Sequence, residues 1–177
     1  MRRAAGHDNL LLTVGNYSDT FLRDFCPALA GRAVMCSNFI GDALDIGVTL
    51  QFRRILLIGH IGKLVKLGSG IMNTHSSCAD GRMETLIACG ALAGIPRELL
   101  VQIPDCVTTD AALEILYQHP NVQEMLRILT ERIAYYLAAR GKEQVQTGAV
   151  IFSNQHDLLL KTADADAIIA AMTEEAI

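Results

Sequence analysis

Short apolar runs alternate with amphipathic stretches along the chain. The first run, Asn9 to Gly15 (NLLLTVG), is apolar at odd and even positions alike, as a strand buried on both faces of a parallel sheet must be. Ala33 to Cys36 reads as a brief second strand, and Arg54 to Gly59 (RILLIG) is the clearest of all. Ala149 to Phe152 supplies a last strand, followed by a further short one at Leu158 to Leu160.

The intervening segments carry helical signals. Ser18 can cap a helix that has Asp19 in its first turn and runs to about Phe25, where Pro27 stops it. Ser37 and Asn38 offer side-chain oxygens to the next helix, whose predicted inner face is Phe39, Ala43, Leu44, Ile46 and Leu50. After the third strand, His60-Ile61-Gly62-Lys63 leads into a short helix bearing Leu64, Val65 and Leu67, ended by Gly68-Ser69-Gly70. Met83 to Ala93 and Arg97 to Gln102 are predicted helical, and Thr108 or Thr109 caps another helix through about Tyr117. Asn121 begins the longest helix, with Glu124 as its capping-box partner and Arg140-Gly141 as its stop. Its stripe of Val122, Met125, Leu126, Leu129, Ile133, Tyr136 and Leu137 is predicted core. A closing helix spans Asp164 to Met172.

Strands alternating with helices, each strand ending in a Gly or Asn turn, predict an α/β fold of three layers: a mainly parallel, Rossmann-like sheet with helices on both faces. With 177 residues and neither an internal repeat nor a low-complexity linker, residues 1–177 are expected to form one α/β domain. Apolar residues make up 51% and charged residues 19%, a mixture that excludes a disordered tail. The net charge of −4 argues against nucleic acid as a partner, since that affinity rests on clustered Lys and Arg. No apolar run approaches the ~18 residues needed to span a bilayer, so no membrane partner is expected. The five cysteines are widely spaced and lack a Cys-x-x-Cys pair, which points to buried thiols in a reducing, cytoplasmic setting. At the start, Arg2-Arg3-Ala4-Ala5-Gly6 looks like the last turn of a helix with none before it, so the chain is expected to begin mid-protein.

In parallel α/β sheets ligands bind beyond the carboxyl ends of the strands. The loops there are Gly15-Asn16-Tyr17, Ser37-Asn38-Phe39-Ile40-Gly41 and Gly59-His60-Ile61-Gly62-Lys63. Each joins small residues to an amide or imidazole, although tight turns and caps use the same residues. The third loop is neither a phosphate loop, which needs four residues before Gly-Lys and a Ser or Thr after it, nor a G-x-G-x-x-G fingerprint. Between Arg53 and Arg82 stand Arg53, Arg54, Lys63, Lys66 and Arg82 against Asp80 alone, in a chain of net charge −4. That excess suits either an anionic ligand or a solvated basic face. The polar loop Asn73-Thr74-His75-Ser76-Ser77-Cys78-Ala79-Asp80-Gly81-Arg82 is rich in functional side chains. His75 and Cys78 offer a nucleophilic pair or two metal ligands, but structural zinc needs four, so no metal site is expected. An Asp80–Arg82 ion pair or helix cap is preferred, with His75 facing the crevice. Asn16, Asn38, His60, Lys63 and His75 are expected to line one crevice, the largest of the molecule, with Arg82 at its rim.

These loops resemble the cobalt-precorrin-5B C1-methyltransferase family of anaerobic cobalamin biosynthesis. The resemblance is carried by Gly15-Asn16-Tyr17, Ser37 to Gly41, Gly59 to Leu67, Asn73 to Ser76 with Ala79 to Glu84, and Asp105 to Ala112. It covers the carboxyl-terminal half of the family only. It implies methyl transfer from S-adenosylmethionine to C-1 of a ring-contracted corrinoid, with cobalt carried by the substrate and no metal held by the protein. Lys63, Lys66 and Arg82 would then clamp the corrinoid's carboxylates, and His60 or His75 would accept or relay a proton. Gly15, Asn16, Tyr17, Ser37, Asn38, Gly59, Gly62, Asn73, Thr74 and Asp80 complete the candidate substrate or cofactor contacts. The implied partner is the missing amino-terminal half or a protein supplying it, and a homo-oligomer stays open. The alternatives are a non-catalytic corrinoid-binding half or a generic α/β anion-binding domain.

Overall fold

The computed structural model describes residues 6–155 and 157–175. The severed-helix reading of Arg2 to Gly6 therefore falls, apart from Gly6, outside the described residues, as does His156. One five-stranded sheet has the order β2-β1-β3-β4-β5, where β1 is Asn9–Val14, β2 Val34–Met35, β3 Arg54–His60, β4 Gln146–Ser153 and β5 Asp157–Lys161. The first four strands are parallel and β5 returns antiparallel on the β4 edge. The expected α/β fold is thus present, with a mixed sheet. The β1 to β3 register sets Leu10 beside Ile55 and Leu12 beside Leu57, so alternate residues share a face.

Each face has its own core, which explains the unbroken apolar runs. Leu10, Leu12, Ile55, Leu57, Ala149 and Ile151 pack on one side. That side is covered by α2 (Ile40–Thr49), α4 (Arg82–Leu92), α6 (Thr109–Leu116) and α7 (Val122–Arg140), with short α3 (Ile61–Leu64) and α5 (Arg97–Leu100) between them. Leu11, Leu56, Ile58, Val150 and Phe152 face the other side, under α1 (Ser18–Phe25) and α8 (Ala165–Glu174). Among the described residues no helix is long and apolar enough to cross a membrane.

Several local expectations are corrected. Ser18 lies inside α1 rather than capping it: its buried hydroxyl donates to the Val14 carbonyl at 2.8 Å, tying the helix to the end of β1. The capping box at Asn121 and Glu124 does not form. The Asn121 amide donates instead to the Ala93 carbonyl at 2.8 Å, and Glu124 pairs with Arg127. On α2 only Leu44 of the predicted inner face is fully buried, while Phe39, Ile46 and Leu50 are exposed. That helix approaches the sheet by its glycine side instead, since a Cβ at Gly47 would overlap the Ile55 side chain. Of the stripe on α7 all but half-buried Tyr136 are buried. The thiols are less sheltered than expected: Cys89 is buried, Cys78 is exposed and the other three lie between.

Candidate functional site

The strand order reverses between β1 and β3, because the chain leaves β1 toward β2 on one side and returns to β3 on the other. Loops leaving the two strands diverge to opposite faces there and open a crevice at their carboxyl ends. A crevice of about 280 Å³ lies at that point, lined by Val14, Gly15, Asn16, Tyr17, His60, Gly62 and Lys63. Gly15 has φ +86, and the Lys63 chain passes 3.6 Å from where its Cβ would stand. A side chain at this position would be strained by the backbone.

Lys63 owes its position to the neighbouring loop. Its Nζ donates to Asn38 Oδ1 at 2.8 Å, and the Thr74 hydroxyl donates to the same oxygen at 3.1 Å. The Thr74 amide completes the bracket by donating to the Asn38 carbonyl at 3.0 Å. The polar loop therefore shares the carboxyl edge of the sheet with the first and third loops, as the spacing predicts. Asn38 and Thr74 stand behind Lys63 rather than on the crevice wall.

Lys66 is corrected more sharply. It is 2% exposed, and its ammonium donates to the carbonyls of Thr74 at 3.1 Å and Ala79 at 2.8 Å, with Asp80 at 3.7 Å. It is a buried post beneath the polar loop and presents no charge to a ligand. Gly59 is also structural, because a Cβ there would lie 3.0 Å from Leu64 and 3.1 Å from Val14. Ser37 is exposed with φ +55 and makes no crevice contact, and the Asn73 amide oxygen accepts from the His75 amide.

His75 is exposed and does not reach the crevice. Its Nδ1 meets the Ser77 hydroxyl at 2.7 Å, not Cys78. Asp80 and Arg82 form the expected ion pair, bidentate at 2.6 and 2.9 Å, and the guanidinium holds the Asp80 carboxyl below its ordinary range. The crevice is not the largest cavity either. An apolar groove of about 600 Å³ lies beside β2.

His60 sits at the end of β3 and caps α3, its Nδ1 accepting from the Gly62 amide at 3.0 Å. Nδ1 is thereby an acceptor, so the neutral ring carries its proton on Nε2. That nitrogen faces Asp110 Oδ2 at 3.5 Å, and the ring packs edge-on against Phe152. Nδ1 is thus engaged in the turn, whereas Nε2 has no hydrogen-bond partner among the described residues, and His60 both caps α3 and lines the crevice. Sequence reasoning assigned Asp110 no role: an acid in the first turn of a helix capped by Thr108 reads as a partner of the helix dipole. The block Asp105 to Ala112 was its only signal.

Burial lowers the His60 pKa from its ordinary 6.5, against the opposing pull of Asp110. The unfolded chain then binds a proton at this residue more readily than the folded one, so the stability it contributes is full above pH 6.5 and falls below it. Urea midpoints should therefore drop between pH 7.5 and 5.5 more in the wild type than in a His60→Gln variant. Equal drops would remove His60 as the titrating group.

A mostly parallel α/β sheet of this order has the architecture in which ligands bind beyond the strand ends at the switch point, and here Lys63 stands in that crevice. The family described as "CbiD, C-terminal domain" matches residues 73–163, and the chain belongs to that family. A relative from Photorhabdus laumondii, named cobalt-precorrin-5B C(1)-methyltransferase, is 38% identical over 97% of this chain and 46% of its own length. Relatives of the same name from Edwardsiella ictaluri (47% identical, 76% of this chain, 38% of the relative) and Listeria monocytogenes (37%, 95% and 46%) agree. The chain thus spans about half the length of the curated relatives it matches. No solved structure matches it.

Proposed function

We propose that this chain is the carboxyl-terminal part of a methyltransferase that moves the methyl group of S-adenosylmethionine to C-1 of a cobalt-precorrin, yielding cobalt-precorrin-6A and S-adenosylhomocysteine. The relatives' shared name supports the reaction, and one observation carries the role of this half. The Lys63 ammonium, braced by Asn38, stands beside the side-chain-free Gly15 in the switch-point crevice.

At about 280 Å³ the crevice is too small for a whole macrocycle and suits one carboxylate-bearing end of a ligand. Both reactants have such ends. Lys63 binds the carboxylate, Asn16 and Tyr17 flank it, and the backbone of Gly15 approaches closely because no side chain intervenes. In the reaction a carbon–carbon bond forms between C-1 and the methyl group as the carbon–sulfur bond breaks, and sulfur keeps the electron pair. Positioning supplies most of the rate, because the carbon nucleophile must meet the methyl group in line. His60 contributes by holding the turn that carries Lys63 and does not touch the reacting atoms. Cobalt enters as part of the substrate.

The test is methyl transfer from methyl-labelled S-adenosylmethionine to cobalt-precorrin-5B, by the purified chain alone and with the amino-terminal half of the Photorhabdus laumondii relative. The chain alone should label the corrinoid far more slowly than the intact relative, and adding the half should raise the rate. Full turnover by the chain alone would make the other half dispensable. No labelling under either condition would remove the methyltransferase reading and leave a corrinoid-binding role.

A further inference from the structure

The apolar groove, larger than the crevice, takes no part in the proposed reaction. It is the groove of about 600 Å³ on the outer side of β1, between the edge strand β2 and helix α2. Val34, Met35, Phe39, Ile46 and Leu50 line it with exposures between 42% and 57%, large for apolar side chains gathered in one place. Contiguous apolar surface of this kind marks an interaction site. The edge itself is open too, since β2 is two residues long and pairs only with β1. Among the described residues Asp42 is the only charged one lining the groove, and none of them offers a cation to the carboxylates of a corrinoid.

From this geometry we infer that the groove is the seat of the amino-terminal half found in this family's longer members. The inference rests on family membership and not on the methyl-transfer reading. Three observations select this occupant. The relatives matched over nearly the whole of this chain have more than half their length beyond it, and the matching family is a C-terminal domain. The first described residues lie at one end of the groove: the Arg53 amide donates to the Asp8 carbonyl at 2.8 Å, one residue from Phe52 of the lining. In a two-half relative the preceding polypeptide belongs to the same chain, so its tether to this region raises its effective concentration beside the apolar surface. A second copy fits less well, because Asp42 of a partner copy would find no cation to meet among the described residues of the lining.

The test uses this chain and the separately purified amino-terminal half of the Photorhabdus laumondii relative, with sedimentation velocity for stoichiometry, calorimetry for affinity and amide exchange for the footprint. A one-to-one complex should form, protecting residues 34–50. Met35→Asp and Ile46→Asp together should weaken it by about tenfold or more, while the exposed Leu92→Asp outside the groove leaves it unchanged. Melting temperatures of the variants confirm that all remain folded, since each substituted side chain is exposed. No complex, a footprint elsewhere, affinity insensitive to the groove substitutions, or self-association through this face would each overturn the inference. None of these readouts depends on catalysis, so failure of the methyltransferase reading leaves the result interpretable.

Discussion

Replacing Lys66 with methionine is expected to destabilise the fold by about 2–4 kcal/mol, the larger of two lysine effects that only their surroundings distinguish. The methylenes of the stem would be kept in volume, but the Thr74 and Ala79 carbonyls would lose their ammonium donor inside the protein. A buried acceptor left without a partner costs more than a hydrogen bond contributes on balance, and two are exposed to that penalty here. For a chain of this size the melting temperature should fall by roughly 4–16 °C. Amide exchange should show the loss first in residues 73–82, which Lys66 holds from below. A variant as stable as the wild type, with the polar loop still protected, would mean that the ammonium is not the post the geometry describes.

Lys63 should behave in the opposite way. Lys63→Gln removes the crevice cation yet retains a donor for Asn38, which also keeps its bond from Thr74. Stability should change by less than about 0.5 kcal/mol. Affinity for S-adenosylhomocysteine or the corrinoid, whichever places its carboxylate here, should fall about tenfold at low salt, equivalent to ~1.4 kcal/mol. The loss should shrink at high ionic strength, where screening has already weakened the attraction. Calorimetric titration at two salt concentrations reads this directly. Unchanged affinity for both ligands at both concentrations would return Lys63 to the class of solvated surface charges.

The contrast between these lysines also shows how far the sequence was legible. Period and punctuation located the first three strands, the helix between each pair and the long helix to within a few residues, because strands buried on both faces must be apolar throughout. The loops bearing Asn16, His60 and Lys63 could be named because parallel strands put their carboxyl ends on one edge. Strand order was not legible. Nothing local records that β1 lies between β2 and β3, yet that order alone creates the switch-point crevice. Lys63 and Lys66 are three apart on one short segment and read alike, and only the path of residues 73–80 decides that one is buried and the other lines a cavity. Asp110 was hidden for the same reason, its partner His60 being fifty residues away in sequence and 3.5 Å away in space. Ile46 and Leu50 misled in the other direction. Their spacing suits an inward face, but glycines at 41 and 47 turn α2 so that these side chains line an open groove.

The measurement that bears most directly on the account is a crystal structure of the chain with S-adenosylhomocysteine, repeated with a cobalt-corrinoid carrying free acetate and propionate groups. The account predicts that one of the two places a carboxylate within hydrogen-bonding distance of Lys63 Nζ, against Gly15, Asn16 and Tyr17 between the ends of β1 and β3. Both ligands bound elsewhere, or neither bound at concentrations that saturate an intact relative, would contradict it.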